Sequence, residues 1–379
     1  MFPGMDRIEK QLKGAKQMRI LIGGGGTGGH IYPALALARH VQKHDSESEI
    51  LFVGSARGLE SKIVPSAGYK LLTIPASGFQ RNLRGLGRTI RDLFSGIRQT
   101  NRIINDFKPN VILGTGGYVA APLIISGVCK RYPVVLHEQN ALPGLTNRIM
   151  APFVRKVCIS FAETASRMRC RRKIVFTGNP RAGEVINISR DQGAGKFGIK
   201  PGNRVMLIYG GSRGAQKLNE VVTEYLKQRL FPEKLTIIYV TGDIYYEDVK
   251  KTIGEMPGQV KLFSYLEDMP LALAVADLVL TRSGATTLAE ITALGIPAIL
   301  VPSPNVVNNH QYYNARLLSE RAAAILIEEK EFDHLHLAEV VNEIIDNPEK
   351  LKKMAANSRD MGMPDAAVKM YSVLREVAS

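Results

Sequence analysis

The sequence predicts an α/β protein made of two Rossmann-like domains, each with a parallel sheet, facing each other across a cleft. Three observations lead there. Short β-branched runs alternate with glycine-rich turns and helical periodicity, the mark of βαβ units. That alternation starts twice, each half opening with a strand, a glycine turn and a helix. The chain has 379 residues and is 45% hydrophobic, enough apolar material for two cores.

Taken in order, residues 1–16 (MFPGMDRIEKQLKGAK) form a charged extension without the apolar core of a secretion signal. Strands are predicted at 18–22, 49–53, 111–113, 134–137 and 156–160. The first leads through GGGGTGGHIYPALALARHVQK into a helix at 32–42. Residues 178–202 are rich in Gly, Pro and polar side chains and hold the boundary, giving domains 1–185 and 186–379. A second series follows, with strands at 205–209, 236–240, 260–263, 278–280, 298–301 and 324–327. Helices are expected at 286–294 and 312–319. Ligands of such domains bind at the carboxyl ends of the strands.

The net charge of +15 is unevenly spread. Residues 1–185 carry 28 Lys and Arg against 11 Asp and Glu, a balance of +17, and residues 186–379 carry 22 against 24, a balance of −2. The first half therefore suits an anionic partner, whether diphosphate, acidic lipid or nucleic acid. Nucleic acid is disfavoured, because the chain has no Trp and few aromatics among its cations. No apolar run approaches the ~20 residues of a membrane span. Three unpaired cysteines fit a reduced, cytoplasmic compartment.

Four strand ends carry loops that let a ligand come close: GGGGTGGH at 23–30, GTGGY at 114–118, GGSRG at 210–214 and TRSGATTLAE at 281–290. The first fits a dinucleotide fingerprint formally, but the second strand ends in Val53-Gly54-Ser55 with no acid for a ribose, which disfavours NAD and FAD. No phosphate-binding Gly-x4-Gly-Lys-Ser/Thr occurs, and no Asp-x-Asp, His-Glu-x-x-His or paired Cys points to a metal. No cofactor is expected. His30 ends the first loop, where it can either take a proton from a hydroxyl or simply pack at the helix start. Glu290 suits ribose hydroxyls or a helix dipole, and Ser212 and Arg213 suit a diphosphate. Asn140 can both donate and accept. Asn308, Asn309, His310, Gln311 and Asn314 suit sugar hydroxyls or local capping.

Residues 74–104 are basic and amphipathic. Arg84, Arg88, Arg91, Arg98 and Arg102 share one stripe, with Leu86, Ile90, Leu93, Ile97 and Ile104 opposite. The preceding segment IPASGFQRNLRGLG reads as a flexible, glycine-containing loop in which Ile74, Phe79, Leu83 and Leu86 mingle with Arg81 and Arg84, the mixture a membrane interface attracts, at roughly 1 kcal/mol per cation near an acidic surface. A second basic run spans residues 167–173.

The motifs GGGGTGGHIYPALALA, GTGGYVAAP, HEQNALPGLTNR, TGNPR, GGSRGAQKLN, TRSGATTLAEITALGIPAILVPSP and NNHQYYNA, in this order, closely resemble the MurG family, the peptidoglycan N-acetylglucosaminyltransferases that make lipid II. The resemblance runs from about Met18 to the last helix. It implies a GT-B fold whose last helix, about 365–378, crosses back to the first domain. It also implies inverting transfer of GlcNAc from UDP-GlcNAc to the C4 hydroxyl of undecaprenyl-diphospho-MurNAc-pentapeptide, at the cytoplasmic side of a membrane with an anionic surface, beside other cell-wall synthesis proteins. His30 resembles the general base. Thr27, Gly28, Gly29, Asn140, Arg181, Ser212, Leu266, Ala285, Thr286, Thr287, Leu288, Ala289, Glu290 and Gln311 resemble UDP-GlcNAc contacts, with Glu290 on the ribose. Gly116, Gly117 and Tyr118 resemble the loop that meets the lipid acceptor; Ile74, Phe79, Arg81, Leu83, Arg84 and Leu86 are read as a membrane contact from their own mixture of apolar and basic side chains. Some members read Gly-Asn-Pro-Val-Arg where this chain reads Gly178-Asn179-Pro180-Arg181, and Gln-Gln where it has His310-Gln311. Other readings of the same motifs are a glycolipid synthase, a UDP-GlcNAc 2-epimerase, and a non-catalytic basic protein bound to membrane or nucleic acid.

Overall fold

Successive side chains of a strand point to opposite faces. Ile20, Leu21 and Ile22 are all buried, so this strand needs cover on both sides and a parallel sheet between helices supplies it. The computed structural model describes residues 17–78, 83–211 and 214–379, with the backbone alone at 83–86 and 88. The chain divides into two units: one runs to Gly183 and takes back Pro364–Ser379, and the other is Glu184–Met363.

Among the described residues the first unit has seven parallel strands: β1 (Arg19–Gly24), β2 (Glu49–Gly54), β3 (Lys70–Thr73), β4 (Val111–Gly116), β5 (Val134–Glu138), β6 (Lys156–Ile159) and β7 (Ile174–Phe176). Their spatial order is β3-β2-β1-β4-β5-β6-β7, with Ile20 level with Ile50 on one side and Val111 on the other. One face, with Ile20 and Ile22, packs on Leu35, Leu37 and Val41 of the helix Gly28–His44 and on Met370, Tyr371 and Leu374 of the helix Ala366–Ala378. The other face, with Leu21, packs on Ile104, Leu123 and Ile124 from the helices Leu83–Phe107 and Ala120–Cys129. Each fully buried Leu or Ile contributes about 1.5–3 kcal/mol. The last helix is also tied by Tyr371 and Arg375, which donate to Asp45 Oδ2 at 3.1 and 3.3 Å.

The second unit repeats the plan with β8 (Arg204–Tyr209), β9 (Leu235–Val240), β10 (Val260–Phe263), β11 (Leu278–Thr281), β12 (Ala298–Leu300) and β13 (Ala324–Leu326). Its order is β10-β9-β8-β11-β12-β13, and its core joins Met206, Ile208, Tyr225, Ile237, Leu280 and Val341.

Three local expectations change. The first helix begins at Gly28, so the end of the glycine loop is already its first turn, with Thr27 as the cap in extended backbone. β3 and β7 were not predicted. Both are edge strands of three or four residues, mostly half-buried or exposed; Lys70–Thr73 has two leucines between polar ends, and the short apolar run Ile174–Phe176 directly follows the basic segment 167–173. In the helix Leu83–Phe107, Ile90 stands exposed beside exposed Phe94 instead of lying on the buried side with Ile104.

Candidate active site

In a doubly wound sheet the strand order reverses at one point, and the crevice at the carboxyl ends of the two strands flanking it is the natural binding place. The reversal lies between β1 and β4 in the first unit and between β8 and β11 in the second. The four glycine-bearing loops read from the sequence follow these four strands.

In the first unit, Gly116 and Gly117 have φ of +101° and +80°, values that favour glycine. A Cβ on Gly117 would lie 2.4 Å from the Gly25 carbonyl oxygen, and one on Gly116 would lie 2.8 Å from His30 Nδ1. The absence of side chains is what lets the β4 loop touch the β1 loop and His30. Tyr118 extends from the same loop, partly exposed, with its ring against Gly26. His30 stands in the first turn of its helix, and its Nδ1 lies 3.2 Å from Gln139 Oε1.

Two buried carboxylates brace these loops. Glu60 Oε2 accepts from the Gly26 N–H at 2.9 Å, and its Oε1 accepts from the Ser55 N–H and hydroxyl at 2.9 and 2.7 Å. Glu138 accepts from the N–H groups of Asn140 and Gly144 at 3.0 and 2.9 Å and from Asn147 Nδ2 at 2.8 Å. Asn140 is thereby fixed just beyond β5, with its carbonyl accepting from Thr164 Oγ1. Arg181 holds its guanidinium 5.7 Å from the centre of the Tyr32 ring.

Sequence reasoning missed Glu60, Glu138 and Gln139. The last two lie inside the quoted motif HEQN, where only Asn140 was weighed. Glu60 is 34 positions from Gly26 and carries no local signal.

In the second unit the helix Ala285–Leu294 starts at the β11 loop with Gly284 as its cap, no side-chain cap bond and no acid in its first turn. Its first amides therefore suit an anion. Thr286, Thr287 and Ala289 are half-buried, whereas Ala285 and Leu288 are buried, and the Leu288 N–H already donates to the Gly284 carbonyl at 3.0 Å. Glu290 lies in the second turn and is buried, away from the helix end where a dipole contact would put it. Leu266 is buried in the loop after β10, beside exposed Tyr265.

The polar cluster at 308–314 mostly holds its own scaffold. Asn308 and Asn309 take left-handed turns. His310 Nδ1 lies 2.9 Å from the Val307 carbonyl oxygen. Gln311 Oε1 accepts from the Ser303 N–H at 2.9 Å, and buried Asn314 donates to the Ser283 carbonyl at 3.2 Å.

Ile74 is corrected as a membrane contact. It is 3% exposed and packs with Leu51, Val53 and Ile104. Phe79, Arg81, Ser212 and Arg213 lie outside the described residues, and Leu83, Arg84 and Leu86 fall in the part of their helix described by backbone alone. Among the described residues no group of His, Cys, Asp and Glu is arranged to hold a metal. No helix among them is long and apolar enough to cross a membrane.

Two parallel α/β units with glycine loops at both reversal points are the architecture of the GT-B fold, and similarity to known glycosyltransferases places the chain in that class. Residues 20–159 match the glycosyltransferase family 28 N-terminal domain and residues 205–370 the family 28 C-terminal domain. The UDP-N-acetylglucosamine--N-acetylmuramyl-(pentapeptide) pyrophosphoryl-undecaprenol N-acetylglucosamine transferase of Caldanaerobacter subterraneus subsp. tengcongensis is 42% identical, covering 95% of this chain and 100% of that protein. The protein of the same name from Halalkalibacterium halodurans is 43% identical with the same coverage. The crystal structure of Acinetobacter baumannii MurG superposes with a TM-score of 0.74 at 26% identity, covering 95% of this chain and 99% of that one. The chain belongs to glycosyltransferase family 28 and, within it, to the MurG family.

Proposed function

We propose that the chain transfers GlcNAc from UDP-GlcNAc to the C4 hydroxyl of undecaprenyl-diphospho-MurNAc-pentapeptide, converting lipid I to lipid II with inversion. The observation that carries this reading is relatedness along 95% of the chain to proteins named for that transfer. The second unit takes UDP-GlcNAc: the amides opening the helix Ala285–Leu294 meet the diphosphate, Glu290 the ribose and Gln311 the sugar. The first unit, with its +17 balance, takes the lipid diphosphate near Gly116, Gly117 and Tyr118.

His30 accepts the proton of the C4 hydroxyl as that oxygen bonds to C1 of GlcNAc. The bond from C1 to the diphosphate oxygen breaks on the opposite side, and UDP leaves with the electron pair. Helix N-termini aimed at the diphosphate offset its growing charge without a metal.

The same unit docks on the anionic cytoplasmic face of the membrane. Leu145, Ile149 and Phe153 are 65%, 56% and 63% exposed. Beside them runs the basic segment Arg169, Arg171, Arg172 and Lys173, with Lys173 donating to the Pro152 carbonyl. Exposed apolar groups ringed by cations favour an acidic bilayer. The residues of the helix start, Leu83, Arg84 and Leu86, belong to the same reading.

A transfer assay with radiolabelled UDP-GlcNAc and a shortened lipid I analogue tests the reaction. The expected product is the disaccharide lipid with release of UDP. Label recovered in UDP-ManNAc, or passed to diacylglycerol but not to the analogue, overturns it.

A further inference from the structure

We propose that Gln139 is a positioning residue that fixes which ring nitrogen of His30 carries the proton. The proposal rests on the reading of His30 as the base and adds how that base is kept ready. Gln139 is 1% exposed, between Thr115 of β4 and His137 of β5, both fully buried. Its Nε2 donates to the Thr115 carbonyl at 2.7 Å and lies 3.1 Å from His137 Nδ1. Turning the amide over would set Oε1 against that carbonyl oxygen, two acceptors facing at 2.7 Å. The Thr115 carbonyl therefore dictates the orientation of the amide.

Both amide hydrogens then have partners, provided His137 Nδ1 is an acceptor. Burial keeps His137 neutral, its pKa lowered to about 4, so a single ring nitrogen carries a hydrogen. With that hydrogen on Nε2, directed at the Ser160 hydroxyl oxygen 3.2 Å away, Nδ1 is the acceptor. What remains of Gln139 is Oε1, which can only accept. Facing His30 Nδ1 at 3.2 Å, it requires a hydrogen on Nδ1 and so leaves the lone pair of neutral His30 on Nε2. Free imidazole side chains favour the opposite tautomer, with the hydrogen on Nε2. Gly116 has a part in this, because a Cβ there would lie 2.8 Å from His30 Nδ1 and press on the contact.

The arrangement serves both states of the base. When Nε2 takes a proton, Nδ1–H goes on donating to Oε1, so no partner has to turn during the reaction. No proton passes through Gln139.

The test is long-range proton–nitrogen correlation on the full-length enzyme labelled with 15N-histidine, at mildly alkaline pH. The His30 signals are assigned by their loss in His30→Ala. The expected spectrum has Nδ1 protonated and Nε2 bare. In Gln139→Met the hydrogen should move toward Nε2, with kcat lower by roughly 10- to 100-fold, part of what a positioned base contributes, and KM for UDP-GlcNAc unchanged. A wild-type His30 protonated on Nε2, or a folded Gln139→Met enzyme with undiminished kcat, overturns the proposal. Should Gln139→Met not fold, the wild-type spectrum decides alone. Turnover that survives in His30→Ala defeats the reading of His30 as the base, while the spectrum still reports the tautomer.

Discussion

The two units both hold loop carbonyls with side-chain donors, but they differ in what takes up their loop N–H groups. In the first, buried carboxylates grip N–H groups: Glu60 takes those of Gly26 and Ser55, and Glu138 those of Asn140 and Gly144. In the second, side-chain donors grip carbonyl oxygens, with charged Arg282 donating to those of Val301 and Pro302 at 3.0 and 3.2 Å. Asn219 donates to the Thr241 carbonyl at 3.0 Å, Asn314 to that of Ser283, and the Ser283 hydroxyl to that of Gln311 at 2.8 Å. The N–H of Ser303 goes to a neutral amide oxygen. A bound phosphate needs N–H donors. The braces of the second unit largely leave such donors alone, whereas those of the first consume them with anions of their own. The first unit's loops gain rigidity, and their pull on an anionic ligand must come from side-chain cations and helix starts instead.

The largest effect expected on this contrast is catalytic. His30→Ala should lower kcat by about 10²- to 10⁴-fold, the range for a general base, with little change in UDP affinity by calorimetry. A smaller loss than that of Gln139→Met would remove His30 from the centre of the first unit's chemistry. Next comes Glu60→Ala, which strands three donors at about 1–3 kcal/mol each and should cost about 3–5 kcal/mol in denaturant unfolding of the first unit. Asn314→Ala, its counterpart, should cost the second unit only about 1–2 kcal/mol. Equal losses would break the comparison.

Acid probes the first unit in another way. Burial lowers both His40 and His137 from 6.5 to about 4. Between these values the unfolded chain binds more protons than the folded one, so their stabilisation is complete above pH 6.5 and fades as pH falls toward 4. For His137 the loss reaches about 3 kcal/mol, at 1.36 kcal/mol per pKa unit. Calorimetry should show the first unit's melting temperature dropping across this window, and His137→Gln should flatten the drop. The smallest effect belongs to the second unit. Glu290→Gln should raise KM for UDP-GlcNAc by about tenfold, equivalent to 1.4 kcal/mol, and leave the acceptor KM unchanged.

The central strands were legible because they are buried on both faces and read as unbroken apolar runs. Val134 to Leu136 and Val205 to Ile208 are examples. The edge strands Lys70–Thr73 and Ile174–Phe176 were not, since each is only three or four residues long, half exposed, and set beside charged sequence. Among site residues, the glycines announced themselves by composition. Glu60 did not, because a buried acid looks like any surface acid until the fold brings Gly26 to it. Ile74 misled for the converse reason: apolar neighbours of cations look alike in sequence whether they face lipid or the interior.

The helix Ala366–Ala378 bears on how the protein is made. Met370, Tyr371 and Leu374 complete a layer that begins with Ile20 and Ile22, yet the whole of Glu184–Met363 is translated between them. The unit synthesised first is therefore the last to close. Its sheet must wait, while translation proceeds at about 5–20 residues per second, with the part of one apolar face that the helix Ala366–Ala378 covers still bare. That interval is when a chaperone has most to offer this chain.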